Sequence, residues 1–175
     1  VYQNPAWASR GDRIVAIRGP AQAYLEATAQ TAPGATTDIV WVPAGGGDLT
    51  VIAPTDGRTS PHFAEDADRI YLFHATDGLV SVRWDGTDEK AHVKVVGNKR
   101  PGQEQPNRAS LIRMAPVGDQ ALAAVNNDLY LVTVPYVGGD TPTVSVADPD
   151  KAAFPARKLT VVGGQFPAWE ASGRK

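Results

Sequence analysis

Histidine is the side chain best suited to acid–base and metal chemistry at neutral pH, and this chain has three: His62, His74 and His92. Two imidazoles grip one metal when spaced His-x-His, or as His-Glu-x-x-His along a helix. Neither spacing occurs. A serine nucleophile on a strand-to-helix turn would sit in Gly-x-Ser-x-Gly, and that is missing too. Gly45-Gly46-Gly47 is not followed by the Gly-Lys-Ser/Thr with which a phosphate-binding loop works. There is no cysteine, which removes thiolate ligands and disulfides. The residues therefore assign this chain no catalytic group, no cofactor-binding group and no metal ligand. His74 should end a strand and His92 should begin one, each as a hydrogen-bonded turn or strand residue.

The elements that position these residues come from a repeat. Pro5-Ala-Trp-Ala-Ser-Arg-Gly-Asp-Arg-Ile14 returns as Pro61-His-Phe-Ala-Glu-Asp-Ala-Asp-Arg-Ile70, with Pro, an aromatic, Ala and Asp-Arg-Ile in register. A worn third copy is Ile112-Arg-Met-Ala-Pro-Val-Gly-Asp-Gln-Ala121, and a fourth opens at Pro167-Ala-Trp-Glu-Ala-Ser-Gly173. Trp7, Phe63, Met114 and Trp169 thus recur at about 50 to 56 residues, a period that marks a repeat architecture. The repeats divide the chain at about residues 1–57, 58–99, 100–164 and an incomplete 165–175.

The second repeat is the cleanest. Arg69–His74, Leu79–Trp84 and His92–Val96 read as strands, with a first strand around His62–Ala64. Asp77-Gly78 is a two-residue hairpin signal, since both residues tolerate positive φ. Ile70–Phe73 is continuously apolar, as expected for a strand covered on both faces. In the first repeat Arg13–Arg18, Asp38–Val42 and Leu49–Ala53 are expected strands. Between them Gly19–Thr37 is an insertion with one or two helical turns after Pro20: a surface loop, or else a flap or subunit contact. In the third, strands are expected at Leu122–Val125, at Leu129–Val134 across an Asn126-Asn127 turn, at Thr143–Val146 and at Lys158–Val162. Four short antiparallel strands per repeat make one β-propeller blade. The expected fold is all-β: three four-stranded blades and the start of a fourth.

Within that frame the repeat positions acquire meanings. Trp7 and Phe63 should be largely buried between successive blades, with Met114 and Trp169 as their equivalents. Asp12, Asp68 and Asp119 share one position, which suits turn acceptors, the sharper alternative being a carboxylate ring around a cation. Arg13 and Arg69 should pair with those turns or with a neighbouring blade. The position after the repeat's proline holds Ala6, His62, Arg113 and Ala168. In a propeller it can approach the central channel, where polar groups meet ligands. His62 and Arg113 are therefore the candidate ligand-facing residues.

Pro5-Ala-Trp7 with Gly11, Pro167-Ala-Trp169 with Gly173, and Tyr71 with the Leu79–Trp84, Asp85-Gly86 segment resemble the TolB-type, WD40-like propeller repeat, Pro-x-Trp-Ser-Pro-Asp-Gly. The sequence departs from it at Ala8-Ser9-Arg10 and Ala64-Glu65-Asp66, and the third copy lacks Pro and Trp at the opening positions. Asp38–Pro43, Trp84–Lys90 and Gly164–Trp169 are similar to the propeller that precedes the catalytic domain in some bacterial amidohydrolases. That resemblance implies a secreted or periplasmic metal-dependent hydrolase as parent. The divalent metal would be carried outside these residues, and this segment would be non-catalytic, controlling access or assembly. The alternative is a TolB-like propeller that binds proteins without enzyme activity.

Composition narrows the partners. Seventeen basic against nineteen acidic side chains give a net charge of −2, so there is no basic field for nucleic acid. No apolar run approaches the ~18 residues a spanning helix needs. Three blades and one strand cannot close a ring, since propellers use about four to eight blades. The expected partners are the remainder of the same propeller or another copy of the chain, with a protein or peptide as ligand, and Trp169 should pack against whatever continues the ring.

Overall fold

The computed structural model describes residues 2–19, 37–66, 68–136, 139–148, 154–165 and 167–170, all of them strand, turn or loop. The helical turns expected after Pro20 lie outside the described residues. So do residues 171–175, which include Gly173.

Three sheets form in chain order. The first is an antiparallel meander of β1 (Tyr2–Trp7), β2 (Arg13–Arg18), β3 (Asp38–Pro43) and β4 (Thr50–Pro54). The second runs through β5 (Arg58–His62), β6 (Arg69–His74), β7 (Gly78–Arg83) and β8 (Lys90–Val96). The third pairs β9 (Leu111–Met114), β10 (Gln120–Val125) and β11 (Asp128–Thr133). Between β11 and its outer strand β13 (Ala156–Lys158) lies a long excursion carrying β12 (Thr143–Ser145). The first strand of each sheet is an edge strand.

The repeat's proline sits in a bulge. In β1 the register slips between Gln3 and Ala6, and in β5 between Thr59 and His62. Asn4 (φ 50°) and Ser60 (φ 53°) turn into the left-handed region just before Pro5 and Pro61. Proline cannot donate to a ladder and is confined to edges and bulges, so the motif marks an edge strand by its chemistry. The strand expected at His62–Ala64 accordingly lies earlier, at Arg58–His62.

Three further expectations need correcting. The β6–β7 connection is a three-residue loop, Ala75–Asp77, with His74 paired to Gly78. Gly78 takes φ +80°, and a Cβ there would lie 2.2 Å from the Val93 carbonyl oxygen. The strand near Thr143 forms, but parallel to β8 in the second sheet. There it covers an open edge and drops Val144 and Val146 into the core between sheets two and three. The last strand stops at Lys158 rather than Val162. The Leu129 N–H turns to the Thr160 hydroxyl (3.0 Å), which itself donates to Asp128 (3.0 Å), and so a side chain ends the ladder.

The core lies between the sheets. Ile70, Leu72, Val80 and Val82 face Val15, Ile17 and Ile39 of the first sheet. Their neighbours Tyr71, Phe73 and Leu79 face Ile112, Met114, Ala123 and Val132 of the third. That two-sided burial is why Ile70–Phe73 is apolar without alternation. Each fully buried Leu, Ile or Val contributes roughly 1.5–3 kcal/mol.

The repeat aromatics do not share one burial, contrary to expectation. Phe63 packs partly buried on the cluster joining sheets one and two, stacked on Trp84 at 5.5 Å. Met114 is 3% exposed in the cluster joining sheets two and three. Trp7 is 59% exposed. Phe63 and Met114 each pack toward the preceding sheet, and among the described residues no sheet precedes the first to cover Trp7.

Candidate functional site

The repeat carries the first strands of the three sheets, and the segment 167–170, to one place. Ala6, His62, Arg113 and Ala168 all line a single cleft of about 600 Å³. The aromatic position beside each of them lines it as well: Trp7, Phe63, Met114 and Trp169. The sequence-derived candidates His62 and Arg113 are thus brought together.

Their chemistry differs. His62 is 5% exposed. Its Nδ1 lies 2.9 Å from the Ser60 carbonyl oxygen, which only accepts, so Nδ1 carries the proton. Its Nε2 accepts the Met114 N–H at 2.8 Å. The ring is therefore neutral, with one tautomer, and stitches the second sheet to β9. Burial pulls its pKa down to about 4; the Ser60 hydrogen bond opposes this and the Arg113 charge adds to it. Both nitrogens are committed to backbone, so the ring offers the cleft only its carbon surface.

Arg113 sits on β9 opposite Leu122. Its carbonyl oxygen accepts the Trp169 indole N–H at 3.2 Å, which ties the fourth repeat's aromatic to the third sheet. The guanidinium is half-buried, and burial lowers its pKa. Among the described residues it has no ion pair. The other buried arginines all do: Arg18 with Asp38 at 2.8 Å, Arg58 with Glu89 at 2.5 Å, and Arg69 with Asp88 at 2.8 Å. Glu65 and Glu170 also line the cleft, both exposed.

Other polar residues settle into structure. Ser81 Oγ and His92 Nε2 are 2.7 Å apart, the spacing of a nucleophile and its base. Ser81 is fully buried, however, and its oxygen already accepts the Arg69 Nε–H at 2.8 Å, so no substrate can reach it. Burial lowers the His92 pKa to about 4, with the Arg69 and Lys90 charges adding to the effect. His74 Nδ1 lies 2.6 Å from the Asp77 carboxylate. Asp12 pairs with Arg13 and Asp68 with Arg10; the turn-acceptor role falls instead to Asp66 and Asp85, which take the Asp68 and Thr87 N–H groups. Among the described residues no three His, Asp or Glu side chains gather as metal ligands.

One contact escapes a reading by spacing. The Arg13 guanidinium lies 4.8 Å from the ring centroids of both Trp41 and Trp84, one in its own sheet and one in the next. This cation–π clamp joins residues far apart in sequence. Arg13 was expected to pair with the turn or with a neighbouring blade, and it reaches both, Asp12 and Trp84, but the tryptophan partners had no signal in the spacing.

Three mainly antiparallel sheets, packed face to face and each beginning with an edge strand around a common cleft, are blades of a β-propeller. No family model matches the chain, and no curated protein matches it. Among solved structures it is similar to a chain described as TolB from Agrobacterium tumefaciens, with TM-score 0.51 and 14% identity. That likeness covers 91% of this chain and 58% of the other. An oligogalacturonate lyase in complex with manganese gives TM-score 0.46 and 14% identity, covering 74% of this chain and 37% of the lyase. The fold is a TolB-type β-propeller, and the chain spans just over half the length of the TolB chain it matches.

Proposed function

We propose that this chain is a non-catalytic, protein-binding segment of a TolB-type propeller, and that its ligand is a polypeptide lying in the cleft of the first strands. The observation that carries the reading is the convergence of one repeat position on one cleft. The aromatic beside that position packs, hydrogen-bonds or awaits a neighbouring blade. The position itself varies through Ala6, His62, Arg113 and Ala168, as residues do where they shape a surface. A cleft walled by four such segments suits an extended chain gripped through its side chains.

On this reading the chain carries no cofactor, and the ring is continued by the remainder of the same propeller or by a second copy. A periplasmic or secreted location fits such a module. A larger amidohydrolase-like parent, holding a divalent metal elsewhere, remains the companion proposal. It rests on the resemblance of Asp38–Pro43, Trp84–Lys90 and Gly164–Trp169, whereas the binding role rests on the cleft. A His-x-His pair in the reading frame after Lys175 would select the hydrolase.

The test is selection of displayed random peptides on the chain, followed by binding to Ala168→Trp, which fills the cleft. Enriched peptides should lose at least about tenfold in affinity, or 1.4 kcal/mol. No enrichment, or binders indifferent to Ala168→Trp, overturns the proposal.

A further inference from the structure

We infer that the cleft is a carboxylate site, with Arg113 as the anchor for a single carboxylate on a bound polypeptide; the inference rests on the peptide-binding reading above. Arg113 is the half-buried arginine that lacks a counter-ion among the described residues, whereas Arg18, Arg58 and Arg69 each have one. A half-buried guanidinium without a counter-ion keeps its planar fork of N–H donors available, and a bidentate carboxylate matches that fork.

The same surroundings specify the anion. His62 is neutral and both its nitrogens are bonded to backbone, so it adds no second positive charge. Glu65 and Glu170 at the rim repel a dianion such as phosphate more than a monoanion. Trp7, Phe63 and Met114 beside Ala6 and Ala168 give the cleft its apolar walls, with Ser9 among them as a polar side chain. One guanidinium in an apolar, acid-rimmed cleft fits one carboxylate attached to an uncharged chain. Trp169, bonded to the Arg113 carbonyl oxygen, places an indole reporter beside the anchor.

The experiment titrates the chain with three probes, followed by NMR of the Arg113 Nε–H and the Trp169 indole N–H. The probes are acetyl-tetraalanine with a free C-terminus, its C-terminal amide, and acetyl-Ala-Asp-Ala-amide. The acid peptide should shift both signals, and the amide should bind at least tenfold more weakly. The Asp peptide separates a side-chain carboxylate from a terminal one, and a response to either supports the site. Arg113→Gln should abolish the distinction between acid and amide. Arg113→Lys keeps the charge but loses the planar fork, so it should retain part of the preference and guard against a folding artefact. If acid and amide shift Trp169 equally, or if the peptides selected in the first test bind Arg113→Gln unchanged, the carboxylate site is wrong while the peptide-binding reading stands. If no peptide of any kind binds, both fail.

Discussion

His62 is neutral because it must serve two backbone groups at once, donating to Ser60 and accepting from Met114. Its folded pKa of about 4 lies below the ordinary ~6.5 of an unfolded histidine. Between these values the unfolded chain binds more protons, so stability rises with pH. The contribution is complete above about pH 6.5 and is lost as pH falls toward 4, on the order of 3 kcal/mol in all. Urea denaturation across that window should show the loss, and His62→Gln should flatten the slope. An equal slope in the variant would assign the titration to other groups, His92 first among them, since its pKa is also lowered to about 4. Residue roles of this kind were only partly legible in the sequence. The repeat placed His62 and Arg113 at one position, which is why both reach the cleft. Nothing local told that His62 would spend both nitrogens on backbone, because Met114 lies in another sheet.

The elements were easier to read where the signal is local. Arg69–His74 has the same bounds in sequence and structure, since its continuous apolar run reflects burial on both faces. The Asn126-Asn127 turn also forms, with φ of 53° and 67°. Elements that depend on distant partners were misplaced. Thr143–Ser145 has strand chemistry, but its partner β8 was chosen by an open edge in the preceding repeat. Gly78 shows how tight the packing of these elements is. Alanine there meets both a left-handed backbone and the Val93 carbonyl oxygen at 2.2 Å. Gly78→Ala should cost at least about 2 kcal/mol, read from the denaturation midpoint. Gly11→Ala has a similar φ of +71° with nothing within 4 Å, so it should cost only about 1–2 kcal/mol, the backbone term alone. Equal costs for the two would show that the close approach is relieved by movement of β8.

At the scale of the whole molecule, the first sheet presents an outer face with no sheet against it among the described residues. A mostly apolar hollow of about 330 Å³ there is lined by Tyr2, Pro5, Ile14, Val40, Trp41 and Leu49. Tyr2 is 43% exposed there, and Trp7, on the same edge strand, is 59% exposed. Burial of Trp7 could not be read from its own motif, because it is decided by the sheet on the other side. Trp7 should therefore be the tryptophan most open to acrylamide among the four. Trp7→Phe should remove most of the quenchable fluorescence of this chain, and a propeller extended at its N-terminal side should protect Trp7. Quenching unchanged by the substitution would mean that the face is already covered.

The strand that crosses back to β8 has a mechanical meaning. Because β12 belongs to the third repeat and pairs within the second sheet, those two blades are laced together by backbone hydrogen bonds as well as by packing. Peeling the third blade away must unzip part of the second. The first blade is joined to the second through side chains, by the Arg13 clamp and the apolar cluster. Blades two and three should thus unfold as one cooperative unit, with the first blade, held by side chains alone, separating from them at lower denaturant.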